Sequence, residues 1–234
     1  MTTVLRVGDP PIEVVLRRNA RARRMVLRVG SARAAPVLTL PTAASLAAAR
    51  GFLDDHEGWI RARLAARPCA VAVADGTVLP FGDGALTIRA VPGRRLIHIG
   101  DELRVPGRPE DLPTRVGAFL REAARGACAE ACDHYSAALG RPAGRITLRD
   151  PRGRWGSCAA SGDLMFSWRL ILAPREVLDY VAAHEVAHLA EMNHSHRFWA
   201  VVATLCPDYA RPRDWLRRNG TALHGYDFSR GDAA

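Results

Sequence analysis

The stretch His184-Glu185-Val186-Ala187-His188-Leu189-Ala190-Glu191-Met192-Asn193-His194-Ser195-His196 is the one from which the rest of the chain is read. It has the form H-E-x-x-H-x5-H, with one more histidine two places on. Residues four apart on a helix lie one turn apart on the same face. His184 and His188 can therefore aim two imidazole nitrogens at one point about 2 Å from each, which is the demand of a zinc ion. Glu185 lies about 100° round the helix from His184, near enough to reach a metal-bound water without ligating the metal. Two ligands, a general base and an open coordination position are the working parts of a zinc hydrolase. With 8 His and, by count, 9 Glu in 234 residues, chance supplies roughly 0.01 matches to such a pattern. A surface helix carrying two histidines is the plainer alternative. Against it, Val177, Leu178, Val181, Ala182, Val186 and Leu189 make the segment largely apolar, so it reads as buried, and ionisable groups in a buried helix need partners.

A catalytic zinc usually takes three protein ligands. A glutamate from a later helix is ruled out, because no glutamate follows Glu191. On an uninterrupted helix His194 would sit about 9 Å above His188 and some 120° off the ligand face. The helix is therefore expected to break, with Met192-Asn193 as the stop because Asn tolerates the left-handed conformation at C′. His194 then swings back toward the metal. His196 remains the alternative third ligand, on the first turn of a helix that Ser195 would cap. Metzincin proteases share the histidine spacing but turn at a glycine where this chain has Glu191.

Composition sets the frame. A chain of 234 residues suits one or two domains and can bury a real core. Hydrophobic residues make up 48% and charged ones 24%, ordinary values for a globular protein. No long apolar run reads as a membrane span, and Met1 to Pro11 lacks the apolar core of a secretory signal, so a cytoplasmic location is expected. Cys69, Cys128, Cys132, Cys158 and Cys206 are odd in number and scattered, which argues against a disulfide framework. Cys128 and Cys132 read as small buried residues. The net charge is +9 and all 33 basic residues are arginine. Such uniformity, with heavy alanine use, reflects compositional bias and dilutes an argument from arginine to nucleic acid. A basic surface nevertheless attracts phosphates.

Along the chain, residues 12–16, 25–29 and 37–40 read as strands. The link from Arg17 to Arg24 holds five arginines in eight residues. It reads as a solvated loop that blocks edge aggregation more readily than as a phosphate grip, since no aromatics are interleaved. Thr42 is expected to cap one helix running to about Ala66, with Leu46, Ala49, Phe52, Leu53, Ile60 and Leu64 as its apolar stripe and His56 as a structural histidine. Strands follow at 77–79, 86–90, 96–99 and 103–105. Gly107 to Pro113 reads as a boundary. A helix from about Pro113 to Leu139 should stop at Gly140, its small residues allowing close approach to the H-E-x-x-H helix, with His134 structural. Then come a strand at 146–149, a hairpin of residues 155–159 and 164–170, a helix beginning at Pro174, a helix after Ser195, and a short helix 215–219 stopped at Gly220. The tail from Ser229 is expected to fray.

The run Arg154-Trp155-Gly156-Ser157-Cys158, Trp168-Arg169-Leu170-Ile171, Pro174, Tyr180-Val181, the H-E-V-A-H segment, Asn193-His194-Ser195 and Phe198-Trp199 resembles the YgjP-like metal-dependent hydrolases, relatives of the SprT and WLM metalloproteases. The resemblance extends over most of the chain, including Trp59-Ile60, and is most specific at its C-terminal end. Ser167 stands where relatives usually carry Asn. The resemblance implies zinc held by His184, His188 and His194, with Glu185 as base.

The fold expected is α+β. Residues 1–107 form a β-rich N-terminal region with one long helix. Residues 108–234 form a zincin-like domain with a long helix, a small antiparallel sheet, the H-E-x-x-H helix and short C-terminal helices. The chemistry expected is hydrolysis of a peptide bond by zinc-activated water, one zinc per chain, with a peptide or protein as substrate. Arg154, Trp155, Ser157, Asn193 and His196 are candidates for contacting substrate, and Arg154, Asn193, His196 and Tyr180 for holding the oxyanion. If residues 155–159 edge the cleft, their backbone can pair with an extended peptide. Cys158 as nucleophile is the weaker option beside a zinc apparatus. The competing class is a nucleic-acid-associated module, either a DNA-linked protease or a basic binding domain with a structural metal. Its mark would be closure by four ligands.

Overall fold

The computed structural model describes residues 3–30, 35–65 and 71–229. The chain divides into two compact units, Met1–Ala70 and Val71–Ala234. Cys69, the far end of the helix expected to reach Ala66, and the tail beyond Ser229 lie outside the described residues.

The first unit places β1 (Thr3–Val7), β2 (Ile12–Arg18), β3 (Val26–Arg28) and β4 (Val37–Leu40) in one sheet of order β1-β2-β4-β3. β1 has no counterpart among the sequence expectations; it pairs antiparallel with β2. The expected single helix is two, α1 (Leu46–Asp55) and α2 (Glu57–Ala65), and the cap is Ser45, not Thr42. The Ser45 hydroxyl accepts from the Ala48 N–H at 3.0 Å. The break at His56 has a local cause. The His56 ring nitrogen lies 2.8 Å from the Phe52 carbonyl, the group that the His56 N–H would otherwise take in a continuous ladder. Val14, Leu38, Leu40, Ala49, Leu53 and Ile60 close this unit's core, while Leu46 stays half exposed.

The second unit begins earlier than the expected boundary at 107/108. β5 (Val71–Ala72), β6 (Val78–Phe81), β7 (Gly84–Val91), β8 (Ile97–Ile99) and β9 (Glu102–Pro106) precede α3 (Leu112–Leu139). Leu79, Leu86, Ile88, Leu103 and Val105 of the β6-β7-β9-β8 sheet are buried in one core with Val116 and Leu120 of α3. Shared burial, not the Pro- and charge-rich link, decides which strands belong with which helix. α3 stops at Gly140, whose φ of 71° is open to glycine at little cost.

β10 (Ile146–Arg149), β11 (Gly156–Cys158) and β12 (Leu164–Ser167) form a sheet of order β10-β12-β11, leaving β11 at an edge. The sheet is mixed and not the antiparallel one expected, because β10 runs parallel to β12 while β11 runs antiparallel to it. The second hairpin strand ends at Ser167, short of the expected Leu170, because Trp168–Leu172 turn into a 3-10 helix. There Trp168 is fully buried, with the Arg121 and Arg169 guanidinium groups 4.9 and 4.8 Å from its ring. Arg169 pairs with Asp150 at 2.7 Å and donates to the Leu223 and Tyr226 carbonyls at 2.9 and 3.0 Å. The Trp-Arg-Leu motif is thus a structural clasp on the end of the chain.

α4 (Arg175–Ala187), α5 (His196–Leu205) and α6 (Ala210–Leu223) follow, and β13 (Tyr226–Asp227) runs parallel with β5. α6 is longer than the short helix expected at 215–219 and passes straight through Gly220. A Cβ there would meet the Trp155 ring at 2.9 Å, so this glycine serves close packing rather than a stop. Among the described residues no helix is long and apolar enough to cross a membrane.

Candidate metal centre

The site is assembled on α4. Val177, Val181, Ala182 and Val186 are buried and face the core. Ala131, Cys128 and Cys132 of α3, all buried, leave room for the two helices to lie close. Burial pushes the Cys128 and Cys132 thiols up to about 12, which suits packing and not ligation. His184 and His188 then project from the far end of α4.

The break between His188 and His194 comes sooner than expected. α4 ends at Ala187, and Leu189 and Ala190 donate to the Val186 and Ala187 carbonyls at 2.9 and 3.0 Å, tightening the chain into turns. No left-handed Asn is involved, since among the described residues positive φ occurs at glycine alone. Arg141, just beyond α3, donates to the Leu189 carbonyl and fastens this turn. Asn193 supplies a different device: its side-chain oxygen accepts from the Ser195 N–H at 3.2 Å, folding His194 inward. Ser195 caps α5, accepting from the Phe198 N–H at 3.4 Å.

The outcome is a convergence of His184, His188 and His194, whose candidate ligand atoms all lie within 4.8 Å of one another. The Nε2 atoms of His184 and His194 are 3.0 Å apart. Two nitrogens held by one tetrahedral zinc stand about 3.3 Å apart, so this spacing fits a shared cation. His188 turns its Nδ1 to the Glu191 carbonyl at 3.0 Å, which leaves Nε2 for the centre and fixes the ring. Burial holds the His184 pKa down at about 4, with His188, His194 and Arg213 adding to the effect; burial also lowers that of His188. Neutral imidazoles are what a metal takes.

Beneath them lies a floor that the sequence did not single out for the site. The Phe198 ring sits 4.8, 4.4 and 4.8 Å from the rings of His184, His188 and His194. Trp199 stacks on Tyr209 at 5.4 Å and carries the Arg213 guanidinium 4.6 Å from its ring. The adjacent aromatics Phe198 and Trp199, three and four residues after the Ser195 cap, were the available signal.

Glu185 is 6% exposed. Burial raises its pKa to about 7, with the Arg154 charge pulling the other way. A Cβ on Gly156 would overlap its carboxylate, so the glycine of Trp155-Gly156-Ser157 leaves the space that Glu185 fills. The sequence motif contains Gly156 but does not disclose that function.

The remaining candidates fall into two groups. Gly156, Ser157 and Cys158 lie on the edge strand β11, and Cys158, Gly162, His188, Leu189 and Met192 line a cleft of about 370 Å³. Burial raises the Cys158 thiol pKa, which argues against a nucleophile. Arg154 is exposed at the approach to Glu185. Trp155 instead stacks on His224 at 5.0 Å and packs against Gly220. His196 is exposed on the first turn of α5 and His134 is exposed on α3; neither joins the three-histidine group. Tyr180 lies one turn before His184, its ring 6.0 Å away, with its hydroxyl pKa pushed up to about 12 by burial.

The family pattern described as YgjP-like, metallopeptidase domain, matches residues 23–219. No curated protein matches the chain. Among solved structures, it is similar to the crystal structure of the metallopeptidase zymogen abylysin from Pyrococcus abyssi, at 24% identity and a TM-score of 0.36, over 42% of this chain and 95% of that one.

Proposed function

Because the chain belongs to the YgjP-like metallopeptidase family, we propose that it is a zinc-dependent peptidase whose metal is held by His184, His188 and His194 and whose general base is Glu185. The convergence of three imidazoles whose candidate ligand atoms lie within 4.8 Å of one another carries this reading. The donor set is nitrogen only, which favours zinc over the hard, oxygen-seeking cations. Three ligands with no fourth His, Cys, Asp or Glu in the group, among the described residues, match an open catalytic site and not a closed structural one.

Zinc in that position supplies Lewis acidity toward a water and a peptide carbonyl. The protein's own residues do the rest. Glu185 accepts a proton from the attacking water at a carboxylate oxygen. As the C–N bond breaks, it returns that proton to the leaving nitrogen. Gly156 leaves the carboxylate its place. Phe198 excludes water beneath the imidazoles and limits how they tilt. The Glu191 carbonyl holds the His188 ring. An extended substrate pairs with the free edge of β11 and lays a side chain in the cleft between Cys158 and Met192. Ser157 shapes that edge, and Arg154 lies at its entrance.

The test uses purified full-length protein loaded with zinc and an unfolded protein as substrate. Cleavage that a chelator stops and added zinc restores, and that DNA does not change, is expected. Zinc binding without any cleavage, with or without DNA, would contradict the reading.

A further inference from the structure

The first unit carries a groove of about 500 Å³ with two unlike walls. One wall is residues 24–27, running into strand β3. The other is Phe52, Asp55, His56 and Trp59, spaced as one helical face across the α1–α2 break. β3 ends its sheet: among the described residues it pairs with β4 and with no other strand. Its outer edge therefore offers backbone donors and acceptors alongside an apolar trough. Trp59 stands 43% exposed there, an unusual state for so large an apolar ring.

The charge around the trough is one-sided. Arg21, Arg23, Arg24 and Arg28 are exposed, and among the described residues none of them takes part in an ion pair. Asp55 is the one acid lining the groove, and Asp54 is its neighbour on α1.

We propose that the groove between β3 and the α1–α2 face binds an extended polypeptide segment in which acidic residues flank apolar ones. Main-chain groups of the segment add to β3 as a further strand. Its apolar side chains enter the trough against Met25, Phe52 and Trp59. Its acidic residues meet the unpaired arginines, which sets direction and speeds encounter. A nucleic-acid strand fits less well. It makes no use of a strand edge, finds a single exposed indole where successive bases need several rings, and brings phosphates toward Asp54 and Asp55.

The experiment reads binding alone, so it stands or falls apart from the peptidase reading. The probe is a fluorescein-labelled peptide of alternating Val and Thr flanked by glutamates, followed by anisotropy on full-length protein carrying Glu185→Gln so that the probe persists. Expected is binding about tenfold tighter than that of a lysine-flanked version, weakening as salt rises. Trp59→Ala, an exposed change whose melting curve serves as the folding control, should weaken binding about tenfold. A probe with N-methylated backbone amides keeps every side chain but cannot extend a sheet, and it should bind at least about tenfold less well. Equal binding of both flanked peptides, indifference to N-methylation or to Trp59→Ala, no peptide binding at all, or capture of oligothymidylate in preference to the peptide would each overturn the proposal.

Discussion

The metal centre and the arginine-rich groove are both concave and both carry several ionisable side chains, yet they are built in opposite ways. At the centre most of the groups that matter are withdrawn from water, His194 being the exposed one. His188 and Glu185 are nearly buried, an aromatic ring lies against three imidazoles, and the Glu191 carbonyl sets the tilt of the His188 ring. At the groove the arginines are exposed and, among the described residues, in no ion pair, and the apolar wall includes a half-exposed tryptophan. Burial fixes geometry and protonation state, which bond making requires. Exposure leaves reach and charge, which capture of a flexible chain requires. The contrast predicts that single substitutions cost stability or turnover at the first region and leave both nearly unchanged at the second.

The largest effect is expected in the core of the second unit. Trp168 is fully buried with guanidinium groups on its ring. Trp168→Ala should destabilise the second unit by about 3–5 kcal/mol, the usual cost of deleting a large core aromatic. Hydrogen exchange across α3 and α4 reads it, and a loss below about 1 kcal/mol would mean that the core repacks easily. Next comes Glu185→Gln, which keeps size and removes the base. Turnover should fall about a hundredfold or more, with zinc retained. Loss of zinc along with turnover would make Glu185 a structural residue or a ligand.

Gly156→Ala is smaller but sharper. The added methyl meets the Glu185 carboxylate, so the base must shift. A fall in kcat of about tenfold with zinc content unchanged is expected, since misplacement by a fraction of an ångström weakens proton transfer. An unaltered kcat would show that the carboxylate moves freely. Smallest is the triple change of Arg21, Arg23 and Arg24 to Gln. Binding to duplex or single-stranded DNA should be weak at physiological salt and change by less than about threefold, because the remaining arginines are spread over the chain. Tight binding abolished by the triple change would turn the first unit into a nucleic-acid grip and erase the contrast.

The same contrast explains what the sequence disclosed. The three histidines and Glu185 lie within eleven consecutive positions, so helical spacing and one break bring them together; the spacing and the need for a break can be read from the letters, the place and form of the break cannot. The Gly140 stop and the Ser195 cap were legible for the same reason: each is a local choice. The division at 70/71 was not, because it depends on β6–β9 sharing a core with α3, a matter of long-range burial. Gly220 looked like a helix stop until Trp155, 65 positions earlier, filled the space above it. The groove was hidden likewise. The arginine run shows no interleaved aromatics, but folding lays Phe52 and Trp59 beside Arg24 and Met25.

The central claim is that His194, and not His196, completes the metal site with His184 and His188. Zinc content of the purified full-length protein and its two single variants tests it most directly. The account predicts about one zinc per chain, kept in His196→Ala and sharply reduced in His194→Ala, as loss of one of three ligands requires. Zinc retained by His194→Ala and lost from His196→Ala would contradict it.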